Sequence, residues 1–494
     1  MYRMLRFFPI LVVAMTIGLA QVSVSQAQLQ PTTNVIVTAD LNSGGQTNVN
    51  AARLRRPTTN VLGRAHVGVF VMHSFAGYQN FSVCDALAQR GFTTLCADSI
   101  WTGRNDEFYG FEQHAPGIRA GINYLRNLPA GGGLPAISKV VIWGHSAGAP
   151  MMSLYQNVAE NGAATACQGP EKILPCVATN LQNLPKADGL ILFDPQEGPG
   201  VWFFNTDPAW ISNSCPSGRD PSLDMYTAAN GLTSPISGTY SSQFLKRFFT
   251  AQAIRSADLT NQALALLQQR RIATGNPNDM GDSIPFSAVG ITSARPWNYD
   301  LHLRHVTKQP HIFLDRFGNR PVQVVETVRV PNGDDASSAV NCAASSTAAT
   351  MNVHIWLGAK TFRANGRVNQ TADDIIGIDW DSNSNNVVTN IKHIGKHPNG
   401  NQPTTPVLIV SNGAYYFIVP GEIYYNAAFS TDKTYAISEG AVHAGTPCPD
   451  CARVILGNPN LTNAQANAYW TDPQGNGPLE RTYNFMAEWL AARY

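Results

Sequence analysis

Residues 140–148 read Val-Val-Ile-Trp-Gly-His-Ser-Ala-Gly, and they carry the strongest indication of the fold class. The first four are apolar, as in a strand buried on both faces. The pattern G-x-S-x-G follows, and then a helical stretch through Met151, Met152 and Leu154. A strand, this pattern and a helix in that order indicate a nucleophile elbow, a tight turn that exposes the hydroxyl of Ser146. Glycine is needed at 144 and 148 because any side chain there would collide with the neighbouring strand or helix.

Similar apolar runs recur on both sides of this stretch and alternate with helical patterns. They predict buried strands at 67–72, 92–97, 190–193, 407–410 and 434–437, with short exposed strands at 34–40 and 52–58. Helices are predicted through 83–88, at 116–128 and at 479–492. Strands that alternate with helices of this length favour an α/β fold with a parallel sheet between two helical layers.

Composition excludes several classes of protein. The 494 residues are 44% hydrophobic and 14% charged, and 34 Lys+Arg against 33 Asp+Glu leave a net charge of +1. A disordered chain would have fewer apolar residues and a larger net charge. A nucleic-acid-binding protein would usually have a basic surplus, so no nucleic-acid partner is expected.

About 210 residues separate the strand at 190–193 from the strand at 407–410. This is too long for a structureless loop, so we interpret it as a lid or cap domain. It begins with the aromatic residues Trp202, Phe203, Phe204 and Trp210. The pattern then predicts two helices, at 244–254 and 263–272, and β-like runs that include 322–330 and 352–357.

With these elements the sequence resembles the α/β-hydrolase superfamily over most of the chain outside the insertion. The resemblance implies a mostly parallel central sheet flanked by helices, with a large α+β cap inserted between the sixth and seventh strands of that family. The expected division is 1–27 signal peptide, 28–194 first part of the core, 195–404 cap and 405–494 second part of the core.

The resemblance also implies an oxyanion hole beside Ser146. The turn after 67–72 reads His-Ser-Phe-Ala-Gly, where the family usually has His-Gly. Phe75 stands at the position of one backbone N–H donor, and Ala147 is the expected second donor. Because Ser74 replaces the usual glycine, the first donor is either Ser74 or Phe75. His73 is expected to hold the turn rather than to take part in catalysis.

The catalytic base is expected after the last sheet strand, where His443 precedes the final helix. The acid often follows the strand at 407–410 in this family, but there the chain has Tyr415 and Tyr416. Some relatives place the acid one strand earlier, and the strand at 190–193 runs directly into Asp194. Asp194 is therefore the predicted acid, with Glu422 and Glu439 as alternatives, and the chain order Ser-Asp-His agrees with the superfamily.

The N-terminus indicates export. Arg3 and Arg6 precede an apolar run at 7–20, and Ser25-Gln-Ala27 provides small residues for cleavage near Ala27. The run is shorter than the ~18 residues that span a bilayer, so no stable membrane insertion is expected after cleavage. Export to a periplasm or the medium makes the eight cysteines candidates for disulfides. Proximity suggests the pairs Cys84–Cys96, Cys167–Cys176, Cys448–Cys451 and, by remainder, Cys215–Cys342, although eight cysteines permit many pairings.

Other motifs are weak. Residues 379–383 read Asp-Trp-Asp-Ser-Asn, with oxygen ligands alternating as in a calcium loop, but the glycine and the glutamate of an EF-hand are missing. A polar hairpin tip is favoured there. Nucleotide-binding loops and H-E-x-x-H are absent from the sequence, so no organic cofactor and no metal are expected.

These observations favour an exported serine hydrolase that cleaves small or polymeric carboxylic esters through Ser146, His443 and Asp194. An aromatic-rich cap would suit apolar or aromatic substrates, although the same aromatics could form the core of the cap. Peptidase, lactonase or lyase chemistry on the same fold is one alternative. A non-catalytic binding protein is another, favoured slightly by the missing acid in the usual loop.

Overall fold

The computed structural model describes residues 29–103, 110–200, 206–212, 218–290, 294–331, 348–396 and 404–494. The predicted signal peptide, Trp202 to Phe204 and the pair Cys215–Cys342 lie outside these ranges. Among the described residues, no helix is both long enough and apolar enough to cross a membrane.

The strands, in chain order, are β1 Thr32–Ile36, β2 Val49–Pro57, β3 Val67–His73, β4 Thr93–Ser99, β5 Lys139–Ser146, β6 Gly189–Pro195, β7 Leu232–Ser234, β8 Ser237–Gly238, β9 Pro285–Val289, β10 His311–Leu314, β11 Val322–Gln323, β12 Ala348–Asn352, β13 Arg363–Gln370, β14 Ile375–Asp379, β15 Val407–Asn412 and β16 Lys433–Ser438. The α-helices are α1 Thr38–Leu41, α2 Ser82–Gln89, α3 Ala115–Arg126, α4 Gly148–Asn161, α5 Ala163–Cys167, α6 Ser242–Thr274, α7 Pro296–Tyr299, α8 Val353–Ile355, α9 Val387–Ile391, α10 Ile418–Ala427, α11 Pro449–Leu456, α12 Asn463–Ala468 and α13 Pro478–Ala491.

In the described part of the chain, ten strands form the central sheet in the order β1-β2-β4-β3-β5-β6-β15-β16-β10-β11. Neighbours from β4 through to β10 run parallel, whereas β1, β2 and β11 pair antiparallel. Successive side chains of a strand point to opposite faces, and in β3 Phe70 and Met72 pack on one face while Val69 and Val71 pack on the other. Helices α3, α4 and α10 cover the first face, and α2 and α13 cover the second. This architecture confirms the α/β-hydrolase fold predicted from the sequence.

The segment between β6 and β15 differs from the prediction in four ways. The two helices expected at 244–254 and 263–272 are one helix, α6, which begins after the capping residue Ser241 and ends at Thr274, before the C-cap residue Gly275. Only two residues of the β-like run 322–330 form a strand, and 353–360 is helical instead of extended. β10 and β11 also extend the central sheet beyond β16. This segment therefore contributes to the core sheet, and its description as a separate cap stays a prediction.

Three of the four expected disulfides are formed: Cys84–Cys96 links α2 to β4, Cys167–Cys176 closes a loop after α4, and Cys448–Cys451 lies at the start of α11.

Candidate active site

The turn between β5 and α4 has the strained geometry of an elbow. Ser146, the last residue of β5, has a φ of +52°, in the left-handed region that side-chain-bearing residues rarely adopt. A Cβ on Gly144 would lie 2.4 Å from the carbonyl oxygen of Gly148. A Cβ on Gly148 would lie 2.9 Å from the carbonyl oxygen of Met72 in β3. The two glycines thus let strand, turn and helix approach closely enough to present the Ser146 hydroxyl at the end of the sheet.

The structure brings Ser146, His443 and Asp194 together, although they are far apart in the chain. His443 Nε2 lies 2.9 Å from Ser146 Oγ, and His443 Nδ1 lies 2.6 Å from Asp194 Oδ2. Asp194 is fully buried at the end of β6, next to β15 in the sheet, and its φ is +39°. Since an ionised carboxylate only accepts hydrogen bonds, Nδ1 of His443 carries the proton and Nε2 accepts from the serine hydroxyl.

The two alternative acids have other partners. Glu422 accepts hydrogen bonds from the backbone N–H groups of Lys308 and Gln309 and pairs with His311 at 2.8 Å. Glu439 accepts the backbone N–H of Arg316 at 2.6 Å. Of the three carboxylates considered from the sequence, Asp194 is the one that contacts His443.

Of the two tyrosines that replace the usual acid, Tyr415 lies beside the imidazole. The ring of Tyr415 stacks on His443 with centroids 4.5 Å apart and planes 20° apart, and Phe417 meets it edge-on at 5.4 Å. Asn412, at the end of β15, donates its backbone N–H to Asp194 Oδ1 at 2.9 Å. Sequence reasoning missed Asn412 because its contact depends on which strand neighbours β15.

The predicted oxyanion turn lies against the elbow. The Ser74 carbonyl accepts hydrogen bonds from Ser99 Oγ and from His114 Nε2, at 2.5 and 2.9 Å. The Phe75 N–H is directed at Nδ1 of His73, 3.2 Å away, so this imidazole holds the turn. Ala147 is buried at the start of α4, where helix N–H groups are unpaired by the helix itself. Ser74, Phe75 and Ala147 stay predicted as donors.

Burial sets the protonation states in this site. It lowers the pKa of His443, and it raises the pKa of the Asp194 carboxyl to about 7 because the charged form loses solvation. The hydrogen bonds from Asn412 partly offset the rise for Asp194. At neutral pH and above, His443 is therefore a neutral imidazole that can accept a proton.

The potential metal ligands in the described chain are already used in hydrogen bonds. His145, Asp194 and His443 offer ligand atoms within 4.8 Å of one another, but Asp194 bonds to His443, and both ring nitrogens of His145 are occupied. In the run 379–383, Lys172 Nζ contacts the carbonyl of Asp381 at 2.8 Å, and Lys392 Nζ pairs with its carboxylate. Two ammonium groups thus lie where a calcium ion would need free oxygens.

The described aromatic side chains of the segment between β6 and β15 pack mainly against one another. They form a buried cluster that continues to the segment next to His443 (Tyr240, Phe244, Phe248, Phe249, Trp297, Tyr299, Tyr416 and Phe417). Trp210 is buried under the guanidinium of Arg219. From the sequence, these aromatic residues are expected either to bind the substrate or to form the core of the inserted segment. The contacts of the described ones support the second interpretation.

No family model matches the chain, and neither does any curated protein. Among solved structures, it is similar to brefeldin A esterase, described as a bacterial homologue of human hormone-sensitive lipase, with 12% identity over 95% of this chain and 79% of that chain and a TM-score of 0.40. It is also similar to a soluble variant of monoglyceride lipase from Saccharomyces cerevisiae, with 13% identity over 95% of this chain and 97% of that chain and a TM-score of 0.35. Esterase B from Lactobacillus rhamnosis matches 34% of this chain with 16% identity and a TM-score of 0.25, and the match spans 49% of that esterase. The fold assignment rests on the strand order of the central sheet.

Proposed function

We propose that this chain, which has the α/β-hydrolase fold, is a serine hydrolase that cleaves carboxylic esters through an acyl-enzyme. The observation that carries the proposal is the hydrogen-bonded chain from Ser146 through His443 to Asp194 at a strained elbow. A serine hydroxyl is a weak nucleophile alone and needs a base within hydrogen-bond distance, itself oriented by a third group. The distances of 2.9 and 2.6 Å meet both requirements.

In the first half-reaction, Ser146 Oγ attacks the ester carbonyl carbon while His443 Nε2 takes its proton. We expect the backbone N–H of Ala147 to stabilise the negative charge that develops on the carbonyl oxygen, with Ser74 or Phe75 as the second donor. To serve, the Phe75 N–H has to leave Nδ1 of His73. Collapse of the tetrahedral intermediate breaks the bond to the alcohol oxygen, which receives the proton from His443. Asp194 stabilises the imidazolium while it exists.

In the second half-reaction, water attacks the acyl-enzyme and gives a proton to His443 Nε2. Collapse of the second tetrahedral intermediate releases the carboxylic acid and returns the proton to Ser146. His443 Nε2 thus takes up or returns the proton in every transfer step of both half-reactions.

Tyr415 and Phe417 beside His443 support an apolar acyl or alcohol portion in the substrate. The argument for a non-catalytic binding protein was the missing acid in the loop after β15, and Asp194 from β6 now supplies that contact. We further propose that the segment 195–404, apart from β10 and β11 in the central sheet, acts as a cap. Residues 1–27 are proposed to direct export, which the three disulfides support.

The test is hydrolysis of a panel of p-nitrophenyl esters of increasing acyl length, with aromatic and polyester substrates beside them. Ser146→Ala should abolish turnover. Ser153→Ala is the matched control, since Ser153 lies buried further along α4 and donates its hydroxyl to the helix carbonyl of Ala149. Equal turnover by wild type and Ser146→Ala would overturn the proposal.

A further inference from the structure

The residue before the nucleophile, His145, is a buried histidine with both ring nitrogens bonded. Its Nε2 lies 2.8 Å from the main-chain carbonyl oxygen of His443, and its Nδ1 bonds to the hydroxyl of Tyr78. Its ring also lies 4.5 Å from the ring of His443, centroid to centroid. One imidazole therefore contacts the nucleophile turn, the loop of the base and the residue that follows the oxyanion turn.

The partners of His145 permit one protonation state. A carbonyl oxygen can only accept, so Nε2 must carry a proton. In the neutral ring Nδ1 is then an acceptor, and the hydroxyl of Tyr78 must donate to it. Burial lowers the pKa of His145 to about 3, which agrees with a ring that stays neutral. Tyr78 thus selects the tautomer that donates to His443.

Asn412 bonds to the same carbonyl oxygen. Its side-chain Nδ2 donates to the carbonyl oxygen of His443 at 2.8 Å, and its backbone N–H donates to Asp194 Oδ1 at 2.9 Å. Asn412 is fully buried at the end of β15, a position fixed by its pairing with β6 and β16. The His443 carbonyl therefore receives two hydrogen bonds from side chains on two different strands.

We propose that His145 and Asn412 are positioning residues, which hold the base loop by the carbonyl of His443 so that its imidazole stays in line between Ser146 and Asp194. This inference rests on the proposed function of the triad. A displacement of about 1 Å at a reacting group can cost about 10²-fold in rate. A main-chain anchor on the catalytic residue itself controls such a displacement directly.

The first variant is His145→Phe, which keeps an aromatic ring but loses both hydrogen bonds. We expect kcat to fall about 10²-fold with KM nearly unchanged, since ground-state binding does not use the hydrogen bond to Ser146. His145→Gln provides an amide N–H that can reach the His443 carbonyl, and it should recover at least about tenfold of the loss. Tyr78→Phe removes the hydrogen bond that selects the tautomer of His145, and it should lower kcat about threefold to tenfold.

The matched control is His311→Phe. His311 is also a buried, hydrogen-bonded imidazole among aromatic rings, but it pairs with Glu422 away from the triad. Its loss should lower stability and leave kcat per folded molecule unchanged.

Asn412 offers an independent test that does not depend on folding of the His145 variants. Asn412→Asp keeps the shape but turns a donor into an acceptor that faces the carbonyl, and it should lower kcat about tenfold or more.

Active sites are titrated with a fluorophosphonate, so that kcat refers to competent molecules. Wild-type protein that fails to react with the probe overturns the proposed function. Reactive wild type with a His145→Phe variant, or an Asn412→Asp variant, within threefold of its kcat overturns the positioning role alone. Equal losses in His145→Phe and His145→Gln would also overturn it, because packing and not the hydrogen bond would then be responsible.

Discussion

Replacement of Asp194 by Asn tests the role of the acid at constant shape. In the structure, Asp194 Oδ1 accepts the backbone N–H of Asn412 and Oδ2 faces His443 Nδ1 at 2.6 Å. In Asp194→Asn the remaining oxygen should stay with the backbone N–H of Asn412, because the NH2 group of the new side chain cannot accept a hydrogen bond. The NH2 group then faces His443 Nδ1 and forces the imidazole to carry its proton on Nε2.

That tautomer donates to Ser146 Oγ and cannot take its proton, so the base is lost while the fold is kept. The corresponding wrong-tautomer substitution in a serine protease lowers kcat about 10⁴-fold. A loss of 10⁴ equals about 5.4 kcal/mol of transition-state stabilisation. Because the geometry here forces the same proton arrangement, we expect a kcat reduction of about 10³ to 10⁴-fold with little change in KM.

The assay is steady-state hydrolysis of a p-nitrophenyl ester, with circular dichroism and thermal unfolding to show that the variant is folded. Glu422→Gln and Glu439→Gln are the controls, since neither carboxylate contacts His443 and folded molecules of both should keep wild-type kcat. A folded Asp194→Asn variant within tenfold of the wild-type kcat would refute this reasoning.

Three further outcomes follow from the geometry. The value of kcat/KM should rise with pH through an apparent pKa of about 7 and then level off, because protonation of the coupled Asp194–His443 pair removes the base. A pH profile that stays flat down to pH ~5 would contradict this expectation. Gly144→Ala should destabilise the fold by about 3 kcal/mol or prevent folding, because its Cβ would meet backbone atoms of Gly148 that cannot move aside; a urea-unfolding midpoint equal to wild type would contradict the steric argument. Arg304→Leu should lower the free energy of unfolding by about 3–5 kcal/mol in the same experiment, because it leaves the buried carboxylate of Glu197, which lies 2.7 Å from the guanidinium, without a counter-charge. A change below about 1 kcal/mol would show that this carboxylate finds another partner or a proton.

The strands and the elbow could be predicted because their signals are local. Continuous apolar runs mark strands that are buried on both faces, and the two glycines around Ser146 mark a turn that side chains would obstruct. The acid could not be chosen by local pattern alone. Its identity depends on β6 lying beside β15, which brings Asp194 next to Asn412 and under His443.

Helix α6 shows where hydrophobic periodicity fails. Its middle turns bury polar residues, so the apolar pattern is interrupted while the helix continues. The side-chain N–H groups of Gln252 donate to two backbone carbonyls, and the hydroxyl of Thr260 bonds to that of Thr361, so these groups have partners inside the protein. The hydrogen-bond partners of Gln252 and Thr260 lie far away in the chain, so the local sequence does not predict them. The roles inferred for His145 and Asn412 could not be predicted for the same reason. The main-chain carbonyl to which both bond lies 298 positions from His145 and 31 positions from Asn412.

The most direct test of the central claim is covalent labelling of the purified chain by a fluorophosphonate, followed by mass spectrometry of the digested protein. We expect a single phosphonyl adduct on the peptide that contains Ser146, formed at a rate that Asp194→Asn reduces strongly, and no adduct in Ser146→Ala. Folded wild-type protein that stays unlabelled, or an adduct on another serine that persists in Ser146→Ala, would contradict a nucleophile at this position.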